Sequence, residues 1–503
     1  MHRTMHPGTR PAYRRADLLP VRGERGSLHH KLGYLAVALL LAAAGAAAAG
    51  LVPGTDAAST PSAGGPVSAG GPRGGASSPA LHLTRAPAGP AVLGESPAAP
   101  EVSPARLRRI VAPAVRQLSA AGAAGLAVAE LGGPGVLFQA GRLSRVEPAS
   151  TLKLLTTTTA LQLLGPDHRF TTSVVQGPSR HDIVLVGGGD PLLAASSAAV
   201  RRNHNGYPAR ATLQRLAAQT AASLRSRHIY RVRLSYDDSL FTGPSINSHW
   251  DPTDVPDGWV SPTTALWVDE GRRDGGAIGS DAPALLAAQA FASQLTGHGV
   301  AVRSGPSAAV AATGARVLGA VRSAPLSQIV AHILTVSDND GAEVLLRQAA
   351  IAGGAPGSTA AGLRVVRATL NRLGLPTGGL RMYDGSGLSH ADRVPLRLLV
   401  DILQLDASPA HPQLRGVVAG LPVGGFSGSL TGRFTGAAAP GAGVVRAKTG
   451  TLTDVAALAG LVQTRSGQTL VFAAAVNRAA DGLEARADLD LLAARLATCG
   501  CSR

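Results

Sequence analysis

The stretch Pro148-Ala149-Ser150-Thr151-Leu152-Lys153-Leu154-Leu155 opens an apolar run with helical spacing through Leu164, where Gly165-Pro166 ends it. A helix here places Ser150 and Lys153 on one face, a turn apart. Leu152, Leu154 and Leu155 flank the lysine, and burial among them disfavours the ammonium form and lowers its pKa. A lysine that is neutral near pH 7 and touches a hydroxyl can take its proton, leaving an activated serine nucleophile. Serine and lysine three apart also occur in ordinary helices, so the pattern needs independent support.

Lysine usage supplies it. Lys31, Lys153 and Lys448 are the only lysines, and every other basic position is arginine. Where only positive charge is needed, arginine has replaced lysine. It does not readily give up its proton, and its planar fork does not substitute for a compact ammonium. The surviving lysines are therefore candidates for chemistry. Lys31 is explained as a flank of the apolar segment after it; Lys153 and Lys448 are not.

Residues 1–31 read as a cytoplasmic basic tail, in which basic residues outnumber acids by five. Residues 32–52 carry no charge and are long enough to span a bilayer, as a transmembrane anchor or, with Ala46-Ala47-Ala48-Ala49 as a cleavage site, as a secretory signal. Either reading puts the remainder outside the cytoplasm. No cysteine follows the segment, which argues against a lipid anchor. Residues 53–100 are Pro, Gly, Ala and Ser without periodicity, the composition of a disordered linker. The net charge of +16 is otherwise spread thinly as arginine. It includes no basic run of the nucleic-acid type and would suit an anionic surface.

The folded part begins at Ser103-Pro104 with a helix to about Ser119. Strands are expected at 125–131 and 136–140, and a short one at 182–186 ends in Gly187-Gly188-Gly189-Asp190-Pro191. That glycine run lacks the lysine and hydroxyl of a phosphate loop and reads as a turn. Helices near 211–225 and 282–298 and a strand near 230–235 follow. Two helices, 328–334 and 342–352, flank Ser337-Asp338-Asn339. A loop of this kind can mount side chains on a cleft, and capping by Ser or Asp is the ordinary alternative. Near the end, 444–447 runs as a strand into Lys448-Thr449-Gly450-Thr451. Strands at 455–462 and 469–476 and a closing helix at 483–497 complete the chain. Gly450 lets another backbone come close, and the ammonium and hydroxyls can hold a terminal carboxylate beside a paired extended peptide.

Ser150-x-x-Lys153, Ser337-x-Asn339 and Lys448-Thr449-Gly450 together form the trio of class A β-lactamases and penicillin-binding proteins. The 187 positions from Ser150 to Ser337 leave room for a whole inserted domain. From about 105 to 498 the chain resembles the DacB-type D-alanyl-D-alanine carboxypeptidase/endopeptidase family, the class C low-molecular-mass penicillin-binding proteins. The resemblance extends to Leu164 through Phe170, Gly188-Gly189-Asp190-Pro191, Asp384-Gly385-Ser386-Gly387-Leu388-Ser389, Leu421-Pro422 and Gly428-Ser429-Leu430.

The resemblance implies an α+β, β-lactamase/transpeptidase-like fold: an antiparallel sheet of about five strands from both chain ends, a helical cluster, and the Ser150 helix between them. It divides the rest into a first catalytic part (101–168), an insertion (169–324) and a second catalytic part (325–503). It implies that Ser150 attacks the carbonyl of the penultimate D-alanine of a peptidoglycan stem peptide, with Lys153 as base. Ser337 relays a proton to the leaving amine with Lys448 close by, Asn339 binds the peptide, and Thr449 with Thr451 receives the carboxylate. Gly450 completes the substrate-binding strand, and the amides of Ser150 and Thr451 form the oxyanion hole. β-Lactams would acylate Ser150. No metal or cofactor is implied, and the fourteen histidines show no HExxH spacing. A serine β-lactamase and a non-catalytic wall-binding protein are the alternatives. Cys499 and Cys501, the only cysteines, are too close together to staple a core; a local or an intermolecular disulfide is open to them.

Overall fold

The computed structural model describes residues 101–203, 207–272 and 279–501; the basic tail, the apolar segment 32–52 and the linker lie outside them. No helix among the described residues is long and apolar enough to cross a membrane. The chain opens with α1 (Pro104–Ala121), whose Leu107, Val111, Ala114 and Leu118 recur at helical spacing and are buried. Strands β1 (Ala123–Glu130) and β2 (Val136–Gly141) follow, then a 3-10 turn over Ala149–Leu152 that runs straight into α2 (Lys153–Leu164). The middle of the chain contributes β3 (Thr171–Gln176), β4 (Asp182–Val186), α3 (Leu213–Arg225), β5 (Arg231–Asp237), α4 (Pro283–Gly297), β6 (Ala301–Ala308) and β7 (Val317–Arg322). Next come α5 (Leu326–Val336), α6 (Asn339–Ala352), α7 (Thr359–Arg372) and α8 (Leu396–Ala407). The chain closes with β8 (Val445–Leu452), β9 (Val455–Gln463), β10 (Thr469–Asn477) and α9 (Gly482–Ala497).

The first and last strands form one antiparallel sheet in the order β8-β9-β10-β1-β2. The expected sheet from both chain ends is thus present, with β1 pairing along its whole length with β10. Both faces of the inner strands β1, β9 and β10 are covered, so these strands are apolar nearly throughout, while the edge strands β2 and β8 carry polar and charged residues. Leu126, Val128, Leu458, Phe472 and Val476 pack on one face with α1 and α9. Ala127, Ala457, Ala459, Ala473 and Ala475 pack on the other with α2 and α8. Small alanines on that second face let the helices approach closely. Cys499 and Cys501 form a local disulfide buried in the α1–α9 layer, and the Cys501 carbonyl accepts a hydrogen bond from Ser103 N.

Helix α2 is buried on every side from Lys153 to Leu161 and lies between the sheet and the helical cluster. Its four consecutive threonines would be costly there with free hydroxyls. Each is satisfied: Thr157 and Thr159 donate back to the carbonyls of Lys153 and Leu155, Thr156 donates to Gly385 O, and Thr158 donates to the Asp406 carboxylate. A second sheet, in the order β6-β5-β4-β3-β7, is mixed, with β4, β5 and β6 parallel. It has its own core with α3 and α4, including Leu216, Leu224, Val232, Leu234 and Phe291.

Candidate active site

Ser150 sits in the 3-10 turn that launches α2, reached through Ala149 at φ 46°. Lys153 begins the helix proper, and its Nζ lies 2.9 Å from Ser150 Oγ. The same nitrogen donates to Asn339 Oδ1 at 2.6 Å and to the Ser386 carbonyl at 2.8 Å. Lys153 is fully buried while Ser150 and Asn339 are half-exposed, so the hydroxyl faces an opening and the amine lies beneath it. Burial pushes the Lys153 ammonium down to about 8, against the opposing pull of Asp384 and Asp338.

The Ser337-Asp338-Asn339 loop is a helix–helix junction. Ser337 takes the left-handed conformation at φ 62° and ends α5. Asp338 caps α6, its Oδ1 accepting from Gly341 N at 2.9 Å. Capping and presentation therefore divide within one tripeptide: the aspartate caps, and the residues on either side reach the site. Lys448 Nζ donates to Ser337 Oγ at 2.8 Å and to Thr449 O at 2.9 Å. Lys448 is also fully buried, and burial, reinforced by the nearby Lys153 charge, holds its ammonium well below the ordinary lysine value.

Strand β8 is a sheet edge. Segment 422–424 covers its first half: Gly424 N donates to Val445 O and Ala447 N to Pro422 O. These bonds fix which backbone groups face outward, and the two-residue period extends that direction to Thr449 and Thr451. By the same period Lys448 and Gly450 share one face, and Thr449 and Thr451 share the other. Thr449 Oγ1 is 2.7 Å from Ser429 Oγ, and Thr451 is exposed. Gly450 meets the Ser150 turn so closely that a Cβ would lie 2.5 Å from Pro148 O. All eight residues singled out from the sequence thus lie on the three segments that meet around Ser150, Asn339 and Lys448.

Further residues support this constellation. Glu343, one helical turn along α6 from Asn339, accepts the amides of Gly385 and Ser386 at 2.9 and 2.8 Å. It thereby orients the carbonyl that receives Lys153. Burial and the neighbouring Asp384 push Glu343 up to about 7. Gly387, at φ 82°, passes the start of α2 so closely that a Cβ would lie 2.0 Å from Ala149 O. Trp259 O accepts from Asn339 Nδ2 at 2.8 Å, and Trp250 Nε1 donates to Asp384 at 3.2 Å. Glu270, His332 and Asp338 bring potential ligand atoms within 4.8 Å of one another. The Arg210 guanidinium reaches into this cluster, 3.4 Å from Glu270 Oε1 and 3.5 Å from His332 Nε2, so it is an ion-pair junction.

Comparison with known proteins places this geometry in a family. A family model for D-Ala-D-Ala carboxypeptidase 3 (S13) matches residues 109–276 and 273–496. "Carboxypeptidase DacB" of Mycolicibacterium smegmatis is 36% identical over 371 residues, covering 73% of this chain and 78% of that protein. A "D-alanyl-D-alanine carboxypeptidase" of Actinomadura sp. is 30% identical over 515 residues, covering 85% and 91%. The crystal structure of penicillin binding protein 4 (dacB) from Haemophilus influenzae has the same fold, with a TM-score of 0.63 and 20% identity over 77% of this chain and 98% of that one. Matched from residue 109 to residue 496, through both sheets, the chain belongs to the D-Ala-D-Ala carboxypeptidase 3 (S13) family of serine peptidases.

Proposed function

We propose that the chain is a serine D-Ala-D-Ala carboxypeptidase/endopeptidase acting outside the cytoplasm on peptidoglycan stem peptides through an acyl-enzyme on Ser150. One observation carries the assignment: two serines, each within 2.9 Å of its own fully buried lysine, flank one strand edge. Lys153 Nζ takes the Ser150 proton as Oγ bonds to the carbonyl carbon of the penultimate D-alanine. The outward amide of Thr451 and the amide of Ser150 receive the developing oxyanion. The C–N bond breaks, and the departing amine takes its proton from Ser337 Oγ, which Lys448 resupplies. Water then cleaves the ester; Lys153 returns to Ser150 Oγ the proton it took, and the proton lost by the water replaces the one Lys448 gave. Asn339 holds the peptide side, and Thr449, Gly450 and Thr451 hold the carboxylate end. A β-lactam follows the same path as far as the ester.

The layout 169–324 is an insertion into the catalytic domain in this reading, and 32–52 anchors or exports the chain. The experiment is labelling of the purified protein with fluorescent penicillin, beside release of D-alanine from a soluble acyl-D-Ala-D-Ala peptide. Both should vanish in Ser150→Ala. Covalent label persisting in that variant would remove the assignment, and fast steady-state penicillin turnover by the wild type would favour a β-lactamase.

A further inference from the structure

The parallel order of β4, β5 and β6 gives the second sheet two unlike ends. At the C-terminal end, Gly187 N bonds to Asp237 O, and Gln348 of α6 donates to the carbonyls of Gly188 and Gly189 at 2.8 and 3.1 Å. That end abuts the helix that carries Asn339. The N-terminal ends of the strands therefore lie a strand length away, roughly 20 Å for a seven-residue strand.

Those far ends are basic. Segments 177–183, 225–233 and 298–303 hold six arginines and one carboxylate, Asp182. Asp182 is taken by Arg233 at 2.7 Å. Arg233 and Arg303 are register partners on adjacent strands, and like charges in that position cost sheet stability. The guanidiniums are held by neutral acceptors: Arg180 by Arg227 O, Arg227 by Gln176 Oε1, and Arg225 by His298 O. Each retains free N–H donors. Between the strand ends lies a depression of about 400 Å³, lined by exposed Tyr230, Arg231, Arg233 and Arg303.

We propose that this end of the second sheet binds a linear wall polymer with repeated phosphodiesters, docking the enzyme with its cleft turned to the peptidoglycan. The charge decides the class of ligand. With Asp182 taken by Arg233, the forks of Arg231 and Arg303 are left without a carboxylate from these segments and match a polymer with one fixed anion per repeat, because arginine pairs with phosphate bidentately. Peptidoglycan interleaves carboxylates with amines and matches an almost purely cationic surface less well. The proposal rests on the wall-peptidase reading, and penicillin labelling separates failure of one from failure of the other.

The test measures binding of the full chain to long-chain inorganic polyphosphate, and to isolated walls before and after acid extraction of their phosphodiester polymer. Arg231→Glu/Arg303→Glu is compared with a control reversal on another surface, Arg364→Glu/Arg372→Glu. The expected result is at least a tenfold loss of polyphosphate affinity in the first variant and under twofold in the control. The salt slope should fall by about two, as for two lost phosphate contacts. Penicillin labelling and hydrolysis of the soluble peptide should stay at wild-type levels. Polyphosphate should displace the wild type from walls where polyglutamate does not, a measurement that stands even if the variant misfolds. Equal losses in both variants, undiminished binding to extracted walls, or preference for anionic vesicles or single-stranded DNA at equal charge would each overturn the proposal.

Discussion

Lys448 Nζ lies 2.8 Å from Ser337 Oγ across 111 positions of chain. The lysine is fully buried and its ammonium is depressed well below the ordinary value, so this nitrogen can exist neutral and exchange protons with the hydroxyl. Lys448→Arg keeps a positive group but installs a larger one that stays charged. We expect D-alanine release to fall by about 10²-fold or more, within the range of lost general acid–base catalysis. Steady-state rates with and without an added small primary amine check the assignment. Partial rescue of Lys448→Ala by the amine is expected, and none for Lys448→Arg.

Lys153 sets the acid limb of the pH profile. Its ammonium is pushed down to about 8, so the neutral base becomes abundant as pH rises through that value. Acylation by penicillin, measured by stopped flow, should climb through about pH 8. Stability moves in the same direction. Between about 8 and the ordinary 10.5 the unfolded chain holds a proton that the folded chain has lost, so folding is favoured as pH rises across that window. Below it, burial of the charged form costs about 3 kcal/mol. Titration of Lys153→Met should lack this rise.

Glu343 acts on that lysine through the Ser386 carbonyl and through its charge, which raises the Lys153 value. Glu343→Gln keeps an acceptor oxygen for the two amides and removes the charge. The acid limb of acylation should then move to lower pH, with the plateau rate within a few-fold of wild type. The carboxyl itself is raised from 4.5 to about 7, so the folded state holds an extra proton in that window and loses stability as pH rises through it. Thermal midpoints of variant and wild type should therefore draw apart in the variant's favour between about 4.5 and 7. An unmoved limb would make Glu343 a purely structural acceptor.

The catalytic sheet is legible because its inner strands β1, β9 and β10 are apolar runs bounded by turns, and scarce lysine marks Lys153 and, on the edge strand β8, Lys448. The second sheet was less so. Strand β6 is mostly exposed, and its Arg303, Ser304, Gly305 and Ser307 carry no alternation, since pairing with β5 holds it more than burial does. Glu343 was invisible for a different reason. A glutamate four positions after Asn339 looks like ordinary solvated helix surface, and only the fold brings residues 385–386 over it. The Asp384-Gly385-Ser386-Gly387 stretch carries the family resemblance, yet its task of lending a carbonyl to Lys153 depends on a backbone orientation that sequence does not encode visibly. Ser429 likewise lies in a stretch that carries the resemblance, and only the fold brings it within hydrogen-bond reach of Thr449.

Gly450 tests the meeting of the chain's two halves directly. An added Cβ would lie 2.5 Å from Pro148 O and 3.1 Å from the Cβ atoms of Ala149 and Ala457. The first neighbour is backbone in the turn that carries Ser150, so relief requires β8 to move away from the nucleophile. In Gly450→Ala the sheet keeps its β8–β9 pairing and the fold survives at a cost of about 1–3 kcal/mol, as for overpacking elsewhere. Acylation should suffer far more, because an ångström of displacement between nucleophile and oxyanion donors costs about 10²-fold. Penicillin labelling rates beside thermal midpoints distinguish the two effects. Labelling at the wild-type rate in a folded Gly450→Ala protein would mean that β8 does not need its close approach to the Ser150 turn, and the outward Thr451 amide would lose its place in the oxyanion hole.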